Sequence, residues 1–138
     1  MIHDPALYHA PAMPRSRDFV EFVLEQLALF GRARARAMFG GFGIYRDERI
    51  FAIIVDDRLY FRTDAATRGE FEAKGLAAFT YVMRGKPVTM PYSEAPAEVF
   101  EEPESMQRWA LLAYEAAGRA GKARTRATAR RRKAKPRK

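Results

Sequence analysis

Residues able to do covalent or metal chemistry are scarce in this 138-residue sequence. There is no cysteine, hence no thiolate nucleophile, no disulfide and no Cys-based zinc site. The histidines are His3 and His9. A spacing of six puts them on neither one helix face nor a tight metal turn, and no carboxylates cluster with them. Ser16, Ser93 and Ser105 lie outside any Gly-x-Ser-x-Gly elbow, and residues 18–118 hold no histidine to act as their base. A pair of carboxylates brought together in space stays open at this level. Asp56-Asp57 reads most simply as a turn, and residues 98–104 as a solvated acidic edge. The expectation is a protein without catalytic, cofactor or metal residues, and not an enzyme.

Two features could hold phosphate. Gly40-Gly41-Phe42-Gly43 is glycine-rich, but a dinucleotide fingerprint starting at Gly41 needs glycine where Arg46 stands, and a P-loop needs Gly-Lys-Ser/Thr after its spacer. The glycines read as mechanical: they permit positive φ and close strand approach, with Phe39 and Phe42 packing on opposite sides of a bulge. The second feature is charge. The net charge is +8, yet residues 119–138 hold 11 basic and no acidic residues, leaving 14 basic and 17 acidic in residues 1–118. A mildly acidic body thus carries a cationic tail. Its expected phosphate contacts are Arg124, Arg126, Arg130, Arg131, Arg132, Lys133, Lys135, Arg137 and Lys138. Such contacts confer affinity without reading sequence. Lys135-Pro136-Arg137 lacks an AT-hook core. Two plainer roles compete: the tail binds the chain's own acidic residues 98–104, or it is a solubilising end. Arg62, Arg84 and Lys86 form a smaller candidate patch, weighed against ordinary surface.

Those residues need a scaffold, and the patterning supplies one. Residues 1–17 have three prolines and no period and read as a loose arm; Met13, just before the first patterned segment, is an alternative start. Residues 18–30 predict a helix, with Asp18 and Glu21 as a capping box and Val20, Val23, Leu24 and Leu27 on one face. Phe19, Phe22 and Phe30 widen that face, and Gly31 is placed to end it. Strands follow: 36–39, continued or succeeded by 42–46, then 50–55 and 58–63, with Asp56-Asp57 as a two-residue turn. Asp64 caps a short helix to about Lys74, with Phe71 inward and Gly75 closing it. Residues 79–83 and 88–92 make a hairpin around Arg84-Gly85-Lys86. Pro91, Pro96 and the acidic stretch make a linker. Pro103 opens a last helix, buried along Met106, Trp109, Ala110 and Ala113, and Gly118 ends it. The domain is α+β, with about five antiparallel strands in the order α-β-β-β-α-β-β-α and helices packed on one sheet. Tyr45, Tyr60, Tyr81 and Tyr92 fall on strands, where they could stack bases; the preferred reading half-buries them under the helices. Beyond Gly118 no large apolar residue occurs, so residues 119–138 are expected to be disordered when free. On DNA, the Ala and Thr spaced between the charges would let the tail become helical along a groove.

The run Met38-Phe39-Gly40-Gly41-Phe42-Gly43-Ile44-Tyr45 resembles the opening of the TfoX (Sxy) N-terminal domain family. Residues 51–62, including Leu59 and Tyr60, resemble that family's next strands. So do Phe79-Thr80-Tyr81 and the hairpin Gly85-Lys86-Pro87-Val88-Thr89-Met90-Pro91-Tyr92, with Trp109 in the closing helix. The resemblance spans residues 18–118, and its motif residues read as mainly structural. It implies a bacterial regulator of natural competence that works without catalysis, beside a protein partner such as a cyclic-AMP receptor protein or RNA polymerase. It also implies a small α+β domain of a kind that pairs into dimers. Longer members carry a second helical domain, where this sequence has its basic segment.

The expected function is a non-enzymatic TfoX-like co-regulator of transcription acting through protein partners, with non-specific DNA contact by the tail. The alternative is a stand-alone dimeric interaction module, adaptor or chaperone-like, without DNA function. A small-ligand cleft between sheet and helices is a third reading. The longest apolar run, residues 50–55, is far short of a membrane span, and residues 1–17 do not read as a secretory signal. The expected location is cytoplasmic, with nucleoid association.

Overall fold

The computed structural model describes residues 17–38 and 40–134, with side chains as far as Arg131. The arm before Arg17, both histidines, Phe39, Lys135, Arg137 and Lys138 lie outside the described residues.

The first helix, α1 (Arg17–Gln26), buries Val20 and Val23, and the 3-10 turn Leu27–Leu29 continues their face with Leu27. Asp18 lies inside the first turn, so it does not cap the helix; there its charge still complements the helix dipole. Phe22 is turned outward, 37% exposed, and stacks on Phe100 at 6.2 Å between ring centroids. The buried stripe is therefore narrower than the three phenylalanines suggest. Gly31, at φ 137°, ends the segment and donates its N–H to the Leu27 carbonyl at 3.1 Å.

Six strands follow: β1 (Arg34–Met38), β2 (Gly41–Arg46), β3 (Arg49–Val55), β4 (Arg58–Arg62), β5 (Ala78–Met83) and β6 (Lys86–Glu94). The short helix α2 (Arg68–Ala73) separates β4 from β5, and α3 (Pro103–Ala134) closes the fold. The strands form one open sheet, ordered β1-β2-β3-β4-β6-β5, with every pair antiparallel. There are six rather than about five because β1 and β2 are separate strands turning at Gly40, φ 79°. Three tight turns place both central residues at positive φ: Asp47-Glu48, Asp56-Asp57 and Arg84-Gly85. That geometry matches the twist of the strands it joins. Asp64 does not cap α2, which begins at Arg68 after Thr67; its Oδ1 instead accepts the N–H groups of Ala66 and Thr67 in the turn that leads into it.

Pro91 does not end the last strand; β6 runs on to Glu94. The β5–β6 register skips between Ala78 and Thr80, opposite the stretch that contains Pro91. A residue without an N–H is tolerated at such an irregularity. A second register shift, between Ile44 and Tyr45, leaves Phe51 without a counterpart on β2. Phe51 and Ala52 are consequently both fully buried, although they are adjacent.

The described helices lie on one face of the sheet. Phe42, Ile44, Ile54, Leu59 and Phe61 point at them, and Met106, Trp109, Ala110 and Ala113 of α3 complete the core. Trp109 is the hub. Its ring meets Phe71 edge-on at 5.0 Å, and its indole N–H donates to Glu98 Oε2 at 2.9 Å.

The closing helix corrects the expectation for the tail. Gly118 does not end it; α3 is continuous for 32 residues to Ala134. The segment expected to be disordered is thus helical to that point. Ala, Arg and Lys are strong helix formers, no proline intervenes between Pro103 and Pro136, and Arg130 and Arg131 near the C-terminal end complement the helix dipole.

Candidate nucleic-acid interface

From Arg119 onward α3 carries Arg119, Lys122, Arg124, Arg126, Arg130, Arg131, Arg132 and Lys133, without one acidic residue. These 16 residues of helix extend the charge over roughly 24 Å at 1.5 Å per residue. Arg119 is not a free cation. Its Nε lies 2.6 Å from Asp64 Oδ2 and its Nη2 donates to Oδ1 at 3.2 Å, a two-pronged pair that pins the base of the basic stretch to the body. That bond holds the Asp64 carboxyl below its usual range. No hydrogen bond or ion pair among the described residues joins this stretch to residues 98–104. Glu98 instead takes Trp109, Arg108 and Lys74, and the indole hydrogen bond leads in holding its carboxyl low. The reading in which the tail binds residues 98–104 therefore finds no contact among the described residues.

Where α3 leaves the core, it meets the end of the sheet at which β3 begins and β4 ends. A stack fixes the join. The Arg46 guanidinium lies 4.5 Å from the centroid of Phe30 and 4.9 Å from that of Tyr114, and Arg49 lies 4.3 Å from Tyr114 on the same helix. Arg49 Nη1 also donates to the Tyr114 carbonyl at 3.3 Å. A Cβ at Gly118 would fall 2.7 Å from that Nη1. The glycine read as a helix stop is instead the notch that admits Arg49.

Beyond the notch is a cleft of about 710 Å³, lined by Arg49 and Arg62 from the sheet, Lys122, Arg124 and Arg126 from α3, and Glu48. Arg124 and Arg126, expected from the sequence, thus lie at a built surface. Arg130 and Arg131 are exposed further along α3; Arg132 and Lys133 belong to its last turn. Arg62 is present for a reason other than the one expected. It is not grouped with Arg84 and Lys86, which sit at the tip of the β5–β6 hairpin; Arg62 pairs with Tyr92, six residues down β6 from Lys86. That is roughly 20 Å at the strand rise. Arg49 was missed altogether, since nothing local distinguishes the first residue of a strand after a polar turn.

The motif residues build the frame. Met38 ends β1; Gly41, Gly43 and Tyr45 lie in β2, Leu59 and Tyr60 in β4, Tyr81 in β5, and Lys86, Pro87, Met90 and Tyr92 in β6. Gly40 and Gly85 take positive φ in turns. A Cβ at Gly41 would sit 2.2 Å from the Ile54 carbonyl oxygen, so this glycine is required by strand approach. The tyrosines are not under the helices as expected. Tyr45, Tyr60, Tyr81 and Tyr92 share the opposite face of the sheet, where they bury against one another's neighbours: Arg34 and Arg36 over Tyr45, Phe79 beside Tyr60, Arg62 over Tyr92. Burial pushes the Tyr92 phenol up, partly offset by Arg62.

The profile of the TfoX N-terminal domain family matches residues 25–117. The chain belongs to the TfoX N-terminal domain family. The TfoX match takes in β1 to β6 and the core half of α3 and stops one residue before the Gly118 notch. Arg49 and Arg62 fall within it, whereas Lys122, Arg124 and Arg126 fall beyond it. The chain is also similar to the DNA transformation protein TfoX1 of Aliivibrio fischeri (strain ATCC 700601 / ES114), at 33% identity over 72 residues. That alignment covers 52% of this chain and 34% of the relative, so the matched part spans about a third of the relative's length. Among the described residues no helix is long and apolar enough to cross a membrane, and no group of three or more metal-ligating side chains assembles.

Proposed function

We propose that this chain is a non-enzymatic, competence-related regulator of the TfoX type. Its body serves a protein partner, such as a transcription factor of the cyclic-AMP receptor protein kind or RNA polymerase. The basic half of α3 gives sequence-independent hold on DNA. One observation carries the DNA part: a continuous helix with eight cations and no acid from Arg119 to Ala134, tied to the body by the Arg119–Asp64 pair. The competence part rests on the family and on the name of the Aliivibrio relative. Every phosphate neutralised releases counterions, so about six contacts give a log–log salt slope near −5. A duplex titration of the full chain and of one ending at Gly118, at two salt concentrations, tests this. The full chain is expected to bind with that steep slope and the shortened one to lose binding. Equal binding by both, or by neither, overturns it.

A second reading, a self-associating interaction module, is favoured by the outer sheet face. Among the described residues no helix covers it, and Tyr81 and Met83 remain 37% and 47% exposed there. Sedimentation of the full chain and the shortened one separates the readings. A dimer that survives loss of the basic stretch, with no DNA binding by the full chain, favours the module.

A further inference from the structure

The cleft at the end of the sheet holds five cationic side chains and a single acid. Arg49, Arg62, Lys122, Arg124 and Arg126 line it. Six other cations are paired: Arg34 with Glu48, Arg46 with Asp47, Arg58 with Glu94, Lys74 and Arg108 with Glu98, Arg119 with Asp64. The remaining described cations are unpaired but lie scattered, whereas those of the cleft converge. None of the five in the cleft has an ion-pair partner among the described residues. The one acid on the lining, Glu48, is turned to Arg34. Like charges gathered along an open cleft raise the local potential and draw in anions.

The cleft is also partly preorganised. Arg49 stacks on the Tyr114 ring and donates to the Tyr114 carbonyl, with its tip resting in the Gly118 notch. Arg62 is steadied over Tyr92 at 5.7 Å and by the Thr63 carbonyl. Arginine forks suit phosphate oxygens in pairs, and four of the five cations are arginines. The helical cations line one wall and the strand cations the other. A bound phosphate would therefore touch both the body and the basic stretch, which α3 alone could not arrange.

We propose that this cleft is a phosphate seat in which Arg49 and Arg62 of the sheet, with Lys122, Arg124 and Arg126 of α3, grip the phosphodiester backbone that the basic helix follows. This rests on the DNA reading above and adds to it a contact from the folded body. The seat also fixes where the backbone enters: at the junction of α3 and the sheet rather than anywhere along the charge.

The test uses the full chain and two variants of equal charge change, Arg62→Gln inside the cleft and Arg131→Gln on the exposed helix beyond it. Fluorescence anisotropy with a labelled duplex is read across a salt series. Arg62→Gln is expected to weaken binding about tenfold and to flatten the log–log slope by about one, whereas Arg131→Gln costs about two- to threefold. An effect of Arg62→Gln no larger than that of Arg131→Gln overturns the seat while leaving the DNA reading intact. Should the full chain bind no duplex, the DNA reading fails, and inorganic tripolyphosphate then tests the seat by thermal shift. Stabilisation of the unsubstituted chain and of Arg131→Gln, lost in Arg62→Gln, supports the seat with free phosphates as its source. The same shift in all three, or none in any, overturns it. Melting temperatures of both variants without ligand verify that each is folded.

Discussion

Gly41 and Gly118 both stand where a side chain has no room, but the obstacle differs. At Gly41 it is the backbone of β3, the Ile54 carbonyl oxygen. A sheet cannot yield there without breaking its ladder, so Gly41→Ala is expected to cost about 1–3 kcal/mol in urea unfolding. At Gly118 it is the tip of Arg49, which can swing away. Gly118→Ala gains about 1 kcal/mol of helix propensity. Its thermal stability should therefore hold or rise, while duplex affinity falls about two- to threefold as Arg49 leaves its seat. A large loss of stability would show that Arg49 cannot move. Glu98 and Asp64 predict the acid behaviour. Both carboxyls are held below their ordinary range in the fold, Glu98 first by the Trp109 indole and Asp64 first by Arg119. As pH falls, the unfolded chain takes up these protons before the folded one. Their contribution is thus complete above the ordinary carboxylate range and lost as pH drops through the lowered values. Glu98→Gln keeps an acceptor for the indole and removes the titration. Its urea midpoint should change less than that of the unsubstituted chain between about pH 6 and about pH 3.

At the scale of elements, the hairpin turns carry avoidable strain. Arg84 holds φ 53° before Gly85, a left-handed conformation that asparagine adopts far more readily than arginine. Arg84→Asn makes the favoured Asn-Gly turn and should stabilise by about 0.5–1 kcal/mol, read as a raised melting temperature. The helix α3 behaves as two elements joined end to end. Up to Ala117 it is held by tertiary burial, with Trp109 and Met106 almost wholly enclosed. Past Gly118 it has only propensity, the dipole and the Arg119–Asp64 pair to hold it. Removing residues 119–138 should reduce the far-ultraviolet helical signal by about 16 residues' worth while leaving the cooperative thermal transition of the body in place.

On the scale of the whole molecule, the sheet is asymmetric. One face is sealed by three helices, and the other presents Tyr45, Tyr60, Phe79 and Tyr81 with arginines between them. Charge is equally one-sided, with an acidic body and a basic extension. The two polarities meet at the cleft, where the body contributes cations against its own net sign. If the outer face is a self-association surface, Tyr81→Glu placed on it should shift the sedimentation coefficient to that of a monomer without altering the thermal transition of the fold.

Local pattern determined much of this protein. Val20, Val23 and Leu27 at helical spacing, the alternation through residues 58–62, Asp56-Asp57 between two apolar runs, and Pro103 before Trp109 each follow from neighbours a few residues apart. Those interactions are short in range, so the sequence carries them openly. The charge of the tail was legible for the same reason: it is a sum over residues and needs no geometry. Tertiary structure decided what those rules leave open. Whether Gly118 stops a helix or admits a guanidinium depends on Arg49, 69 positions away in the chain. Which face the tyrosines occupy depends on strand register and on where the helices land. The cleft exists only because a two-residue turn, a bulge at Phe51 and an uninterrupted helix bring Arg49, Arg62 and Lys122 to one rim. Long-range juxtaposition of this kind leaves no periodic trace, because each contributor is locally an ordinary surface cation.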